Sequence, residues 1–415
     1  MSQAPARQLP AAWKLGLLSL LYFVQGLPFG FQSKGLKLAL TAMGLSMTLI
    51  TLTGLLSLPW SLKVLWGPWV DRHGNEKFGR RKSWIVPMQV LLVISFVVAA
   101  FLPPNEHLTA LLVAVFFMNV FAATQDVPVD GLAIDLLGPH ELGGGNAVQV
   151  VGYKMGMIVG GSLLVAQLPR FGWRFLFFAM AGMTLLVTTV VFFVKEPRTH
   201  HGDGPRPQLT WRELRERLRI AVTGPGGAWL LVFVAFYKAG ESLAESVFEP
   251  FLQRVAGFPL DEVAGFGGWG MVGSLLGSVA GGLLATRIAL LRAVGWSALF
   301  RAIPLVGMWA LVAGFIAVSP GHIIALTTIE HFFGGMLTTS MFAFMMSKVD
   351  KRIGATHFTL LAAVEVIGKS PWGLASGAMV DGVGWPATFA LAVALSVVFM
   401  LLLIPVSRAP TQLKT

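Results

Sequence analysis

The sequence predicts an all-α membrane protein with twelve transmembrane helices in two six-helix bundles. Composition, the spacing of apolar runs and a weak internal repeat lead there. Of 415 residues, 55% are hydrophobic and only 12% are charged, with a mean hydropathy of +0.72, more apolar material than a soluble chain can cover. About twelve apolar stretches approach the ~20 residues that a helix needs to cross ~30 Å of hydrocarbon. Repeated spans of that length imply helices, because an open sheet edge leaves backbone groups unsatisfied in lipid.

The spans read as 13–35, 45–68, 84–103, 107–136, 144–168, 173–194, 227–252, 261–286, 292–317, 321–347, 355–379 and 385–406. The first carries no small-residue cleavage site and is followed by an ordinary second span, so it is expected to stay in the mature chain. One long polar segment, KEPRTHHGDGPRPQLTWRELRERLR, separates six spans from six. It gives an N-terminal bundle over 1–197, a cytoplasmic linker over 198–225 and a C-terminal bundle over 226–415. Within it, TWRELRERLR reads as a basic amphipathic helix opened by Thr210 and lying at the membrane surface. LYFVQGLPFG matches VAFYKAGESL, GPWVDR matches GLLATR, and FGW matches VGW at offsets of about 212 to 215, as a duplicated six-helix unit would. Six-plus-six repeats around a midplane site are the architecture of major facilitator transporters.

Several function classes drop out. Cysteine is absent, which excludes disulfides, thiol catalysis and thiolate metal sites. His200 and His201 lie in the polar linker and the other histidines are scattered. No HExxH or GxSxG is present and no GxxxxGKS or GxGxxG follows a strand, so neither an enzyme nor a resident cofactor is expected. The net charge of +11 is not a nucleic-acid signature, since roughly two-thirds of the Lys and Arg fall in alternate loops that would face the cytoplasm. That bias places both termini in the cytoplasm. The expected partners are the bilayer and a small solute, with no nucleic acid and a monomeric chain.

Between spans two and three, GPWVDRHGNEKFGRRKSW resembles the major facilitator loop signature. Gly67 would permit close helix approach, and Asp71 and Arg72 with Arg80 and Arg81 would bond helix ends as a gating latch. In the second repeat Thr286 precedes Arg287 where the acid would stand, so the latch is expected on one half only.

Span four carries ATQDVPVDGLAIDLL (123–137). Asp126 falls near the midplane, Asp130 one turn further on the same face, and Asp135 at the cytoplasmic end. Intramembrane acids face a cavity and mark a pathway, whereas Asp135 reads as a solvated helix end. Pro128 removes one backbone bond between them. Span five offers Gln149, Tyr153 and Lys154, the last either a structural counter-ion or a substrate contact. Lys63 in span two is expected to snorkel to the surface.

Lys238, Glu241, Glu245 and Glu249 of span seven recur at three or four residues and line one helical face; Glu249 is expected at the outer mouth. Arg301 lies in span nine and Glu330 with His331 in span ten. Glu365 and Lys369 of span eleven have the spacing of an intrahelical pair. Glu330 has no evident local mate and reads as a proton carrier. The glycine runs GMIVGGSLLVA and GSLLGSVAGG are read as close helix packing.

On ATQDVPVDGLAIDLL, GNAVQVVGYKMGMIVGG, the DR-x5-FGRRKSW loop, FYKAG and ATHFTLLAAVEVIGK, the chain resembles the major facilitator branch that holds the AmpG-type muropeptide permeases and the acetyl-coenzyme A transporters. The YFVQGLPFGFQS opening, which contains Gln25, and ELGGGNAVQVVGYK look closest to the branch of major facilitator superfamily domain-containing protein 3 and its bacterial relatives. The resemblance covers nearly the whole chain. It implies a proton-coupled secondary transporter of the bacterial inner membrane with no ATP-binding domain. Gln125, Asp126 and Asp130 would be transport-critical, and Lys154 would take the place of a basic residue. AmpG permeases commonly carry further C-terminal helices, and span seven here is richer in acids than that branch implies. The expected cargo is a polar anionic or zwitterionic solute, muropeptide, peptide-like or nucleotide-like, moved by alternating access. The alternatives are a siderophore importer, an uncoupled facilitator on the same fold, or a non-transporting receptor or scaffold.

Overall fold

In a computed structural model of the chain, residues 10–44, 52–196 and 209–408 are described. All regular structure among them is helical apart from one isolated bridge between Asn75 and Gly79. The start of the second predicted span and the histidines of the linker lie outside the described residues. Contacts divide the chain into two units, described here over the described residues alone. The first takes Met1–Glu141, Val148–Leu209 and Gly354–Thr356; the second takes Leu142–Ala147, Thr210–Ile353 and His357–Thr415.

The first unit opens with α1 (Ala11–Gly30), which runs on through a wider π turn at Phe31–Leu36. Pro28 lies just before that turn and removes one backbone donor from the helix. The described part of span two is a chain of short turns, Thr53–Ser57, Leu58–Leu62, Lys63–Leu65 and Gly67–Arg72. Pro59 and Pro68 each sit at the start of a new turn, where a missing N–H costs nothing. Next come α2 (Lys82–Ala100), α3 (Pro104–Leu136) and α4 (Leu142–Ile158), whose first turn clusters with the second unit. α5 (Leu168–Phe193) contains Gly172 at φ +77°. That left-handed residue breaks the helix and separates span five from span six. α3 stays helical through Pro128; its one non-helical residue is His107.

The second unit begins with α6 (Trp211–Thr223). Thr210 caps it through a capping box with Glu213, as the TWRE pattern predicts. Its axis turns by 71° into the next span, the geometry of a surface helix feeding a membrane helix. That span is α7 (Gly227–Phe236) followed by α8 (Ala239–Arg254), interrupted at Tyr237 and Lys238. Then follow α9 (Leu260–Arg287), α10 (Leu290–Val312), α11 (Pro320–Ser347) and α12 (Gly354–Val398). In α12, Gly384 at φ +83° separates spans eleven and twelve. Large apolar side chains such as Phe193, Leu186, Ile367 and Leu374 are exposed, as a lipid-facing surface requires.

Within each unit the glycine runs let backbones touch. A Cβ at Gly156 of α4 would stand 2.0 Å from the Phe23 carbonyl oxygen of α1, and one at Gly277 of α9 would stand 1.8 Å from the Phe332 carbonyl of α11. Gly277→Leu is therefore expected to destabilise the fold by at least about 1–3 kcal/mol, since backbone cannot yield as a side-chain tip can. Gly265→Leu on the same helix, with open space around it, should be near neutral. Thermal unfolding of the two variants in detergent checks the contrast.

Candidate functional site

In the first unit, α3 places Asp126 and Asp130 one turn apart, both buried. Lys63 Nζ pairs with Asp126 Oδ2. The expectation that Lys63 snorkels to the surface is corrected: it is buried, because a carboxylate in a low-dielectric setting must be met by a cation or a proton. Asp130 is held by neutral donors. Tyr22 Oη of α1 donates to its Oδ1 at 2.6 Å, and Gln149 Nε2 of α4 approaches the same oxygen at 3.4 Å.

Polar and aromatic groups surround this pair. Trp60 Nε1 donates to Asn119 Oδ1 at 2.9 Å, and Asn119 Nδ2 donates to Gln32 Oε1 at 2.7 Å. The rings of Phe29, Trp60 and Tyr153 stand about 6 Å apart, centroid to centroid. Gln25 and Gln125 are fully buried, and both side-chain amide atoms of each lack a hydrogen-bond partner among the described residues. Buried amides in that condition are uncommon and fit a site that satisfies them through a solute or water. Lys154 is half-buried on α4, one residue beyond Tyr153.

The loop signature folds into a second cluster of the same unit. Arg81 is fully buried; its Nη1 donates to Asp71 Oδ1 at 2.8 Å and its Nε to Asp135 Oδ2 at 3.1 Å. Asp135 is thus not the solvated helix end expected of it, because the guanidinium fork reaches across to α3. Burial alone would lower the Arg81 pKa, but Asp135 and Asp71 outweigh it and hold the guanidinium above its ordinary value, fully charged. Asp71 Oδ2 also accepts from the backbone N–H of Thr356 at 2.6 Å, and Arg80 donates to the Asp71 carbonyl. A Cβ on Gly67 would meet Thr356 Cα at 3.4 Å. That is ordinary contact, so this neighbour does not demand glycine there. Arg72 is half-buried. Arg287, the counterpart in the second repeat, is exposed and makes no ion pair among the described residues.

Glu196, just after α5, was not foreseen. Its carboxylate accepts from the backbone N–H of Arg81 at 3.0 Å and of Lys82 at 2.9 Å. It satisfies orphan donors at the start of α2, where the helix dipole favours an anion. Burial pushes this carboxyl up, against the pull of those two N–H groups.

In the second unit, Arg301 of α10 donates through Nε to Glu330 Oε1 at 3.1 Å and through Nη1 to Glu241 of α8. The expectation that Glu330 lacks a mate is corrected. Its partners, Arg301 and His331 Nδ1 at 2.8 Å, come from another helix and from the next residue, where spacing rules do not look. Lys238 Nζ binds Glu365 at 3.0 Å, and Lys369 binds the same carboxylate at 3.3 Å. A cavity of about 300 Å³ is lined by Glu245, Glu249, Thr327, Glu330 and His331, with Phe248, Phe266 and Met308 on its apolar wall.

Over residues 15–356 the sequence matches the Major Facilitator Superfamily. The chain belongs to that superfamily. It is an AmpG-like integral membrane transporter with the twelve-helix major facilitator fold, as the sequence leads one to expect. It is similar to the anhydromuropeptide permease of Escherichia coli (strain K12), 28% identical over 394 residues that cover 94% of this chain and 78% of the permease. The fold is shared with the E. coli fucose:proton symporter at a TM-score of 0.71 and 16% identity, over 97% of this chain and 100% of the symporter. It is shared equally with a bacterial homologue of the iron transporter ferroportin in an outward-facing state, at a TM-score of 0.72 and 16% identity, over 96% of this chain and 100% of that one.

Proposed function

We propose that the protein is a proton-coupled importer of an anhydromuropeptide-like solute, a sugar carrying a charged peptide, working by alternating access in a bacterial inner membrane with both termini cytoplasmic. The observation that carries this reading is the buried constellation around QD-x3-D. One acid there is held by a cation, Lys63 on Asp126, and its neighbour accepts from neutral donors, Tyr22 and Gln149 on Asp130.

The two acids then have different work. Lys63 holds the Asp126 carboxyl in place until a charged group of the solute competes for one of them. Neutral donors stabilise a carboxylate less than a cation does, so Asp130 is the group that exchanges a proton. The orphan amides of Gln25 and Gln125 supply donors and acceptors for a polar solute. The Phe29, Trp60 and Tyr153 rings, set edge to face around Trp60, offer aromatic faces against which a sugar ring can pack. The likeness to the E. coli permease supports the choice of solute.

Purified protein in liposomes holding a pH-sensitive dye tests the reading. Anhydromuropeptide added outside an acid-outside gradient is expected to drive proton entry and its own accumulation, while dipeptides, acetyl-coenzyme A and siderophores do not. Solute equilibration with no proton movement would identify an uncoupled facilitator, and no uptake of anhydromuropeptide would reject the solute.

A further inference from the structure

Glu245 of α8 and Glu330 and His331 of α11 bring two carboxylate oxygens and an imidazole nitrogen within 4.8 Å of one another. All three line the second unit's cavity. Glu330 is held from behind, because Arg301 donates to its Oε1 and leaves Oε2 facing His331. That oxygen lies 2.8 Å from His331 Nδ1. The same nitrogen lies 3.0 Å from the Thr327 carbonyl oxygen, so Nδ1 carries a hydrogen that these oxygens accept and Nε2 is the ring nitrogen with a lone pair for an ion, the usual arrangement of a ligating imidazole.

A second observation is independent of the acids. Thr327, one helical turn before His331, is 4% exposed, and its Oγ1 has no hydrogen-bond partner among the described residues although it lines the same cavity. A buried hydroxyl without a partner costs free energy unless something in the cavity meets it. Charge points the same way. Glu241 and Glu330 pair with a single guanidinium, Arg301, while Glu245 and Glu249 line the cavity wall with no ion pair among the described residues. Lys238 is engaged by Glu365, and the rest of the wall is apolar. The cluster therefore carries excess negative charge in a setting that penalises it.

We propose that Glu245, Glu330 and His331, with the Thr327 hydroxyl beside them, bind a divalent transition-metal cation. Two carboxylates and an imidazole suit the Mn²⁺ to Zn²⁺ series and not the soft ions that thiolates select. Arg301 acts as a positioning residue, fixing the Glu330 carboxylate so that one oxygen is presented to the ion, as outer-shell partners of metal ligands do. The site is separate from the Asp126 and Asp130 constellation and does not rest on the solute assigned to it.

The test uses full-length protein without a histidine tag, stripped with chelator and titrated in detergent with Co²⁺ and Mn²⁺. The expected result is one saturable site per chain that raises the unfolding temperature. His331→Gln and Glu245→Gln are each expected to weaken binding at least about tenfold, while their unfolding temperatures without metal stay near that of the unmodified chain. Pulsed electron paramagnetic resonance of the unmodified protein with Mn²⁺ should show coupling to one imidazole nitrogen, a readout that needs no variant to fold. Absence of saturable binding, binding unchanged in both variants, or no nitrogen coupling would each overturn the proposal.

Discussion

Arg81→Leu is expected to lower the stability of the folded protein by about 3–5 kcal/mol, the loss that follows when one partner of a buried ionic cluster is removed. The side chain is fully buried and serves Asp71 and Asp135 at once. Leucine would leave Asp135 without its guanidinium and Asp71, which also holds the Thr356 N–H, with only the more distant Arg80 at 3.6 Å. Arg81→Lys is expected to recover only part of the loss, because an ammonium is a point charge and cannot present Nε and Nη1 to two acids on different elements. Gly131 adds a steric reason: a Cβ there would stand 2.5 Å from Arg81 Cζ, so the guanidinium fits a slot that only glycine leaves open. Gly131→Ala should reproduce a large part of the defect with every charge intact. Thermal unfolding of the three variants measures the ordering, and an Arg81→Leu protein as stable as its parent would show that the cluster contributes specificity and no stability.

These clusters also show what could be read from the chain and what could not. Twelve apolar spans, the capped amphipathic helix at Thr210 and the breaks at Gly172 and Gly384 follow from local rules of length, capping and left-handed backbone, and those rules act within a few residues. The i, i+4 pair of Glu365 and Lys369 is likewise local. The partners of Asp126, Asp130, Asp135 and Glu330 are not: they lie 63, 108, 54 and 29 residues away. Sequence gives the depth of such a residue in the membrane but not the rotation of its helix, and rotation decides which neighbour it meets. Lys63 shows the failure most plainly. Its position near a predicted span end suggested an escape to the surface, yet the short turns after Pro59 carry it inward to Asp126. Glu196 was missed because its role is toward backbone N–H groups at a helix start 114 residues away. A carboxylate directly after an apolar span was the one available hint.

Asp130→Asn is expected to abolish proton-driven accumulation, bringing it down to the level of empty liposomes, while solute exchange at equal pH on both sides persists. The asparagine Oδ1 can still accept from Tyr22 and Gln149, as the aspartate does now, so the constellation keeps its shape and loses only the ability to take and release a proton. Asp126→Asn is a different experiment. It leaves Lys63 as a buried cation without its carboxylate, so exchange as well as accumulation should fall and stability should drop by about 3–5 kcal/mol. The double variant Lys63→Met/Asp126→Leu should restore the stability, because a matched apolar pair replaces a matched ionic one at little cost, but not the transport, because the charges that meet the solute are gone. Counterflow and gradient-driven uptake measured on the same liposomes separate these outcomes. If Asp130→Asn still accumulated solute against its gradient, the proton would have to travel by another acid and Asp130 would be a structural acceptor for Tyr22. If the double variant transported as well as the parent, the ion pair would belong to the scaffold and the solute would bind through the orphan amides and the aromatic rings.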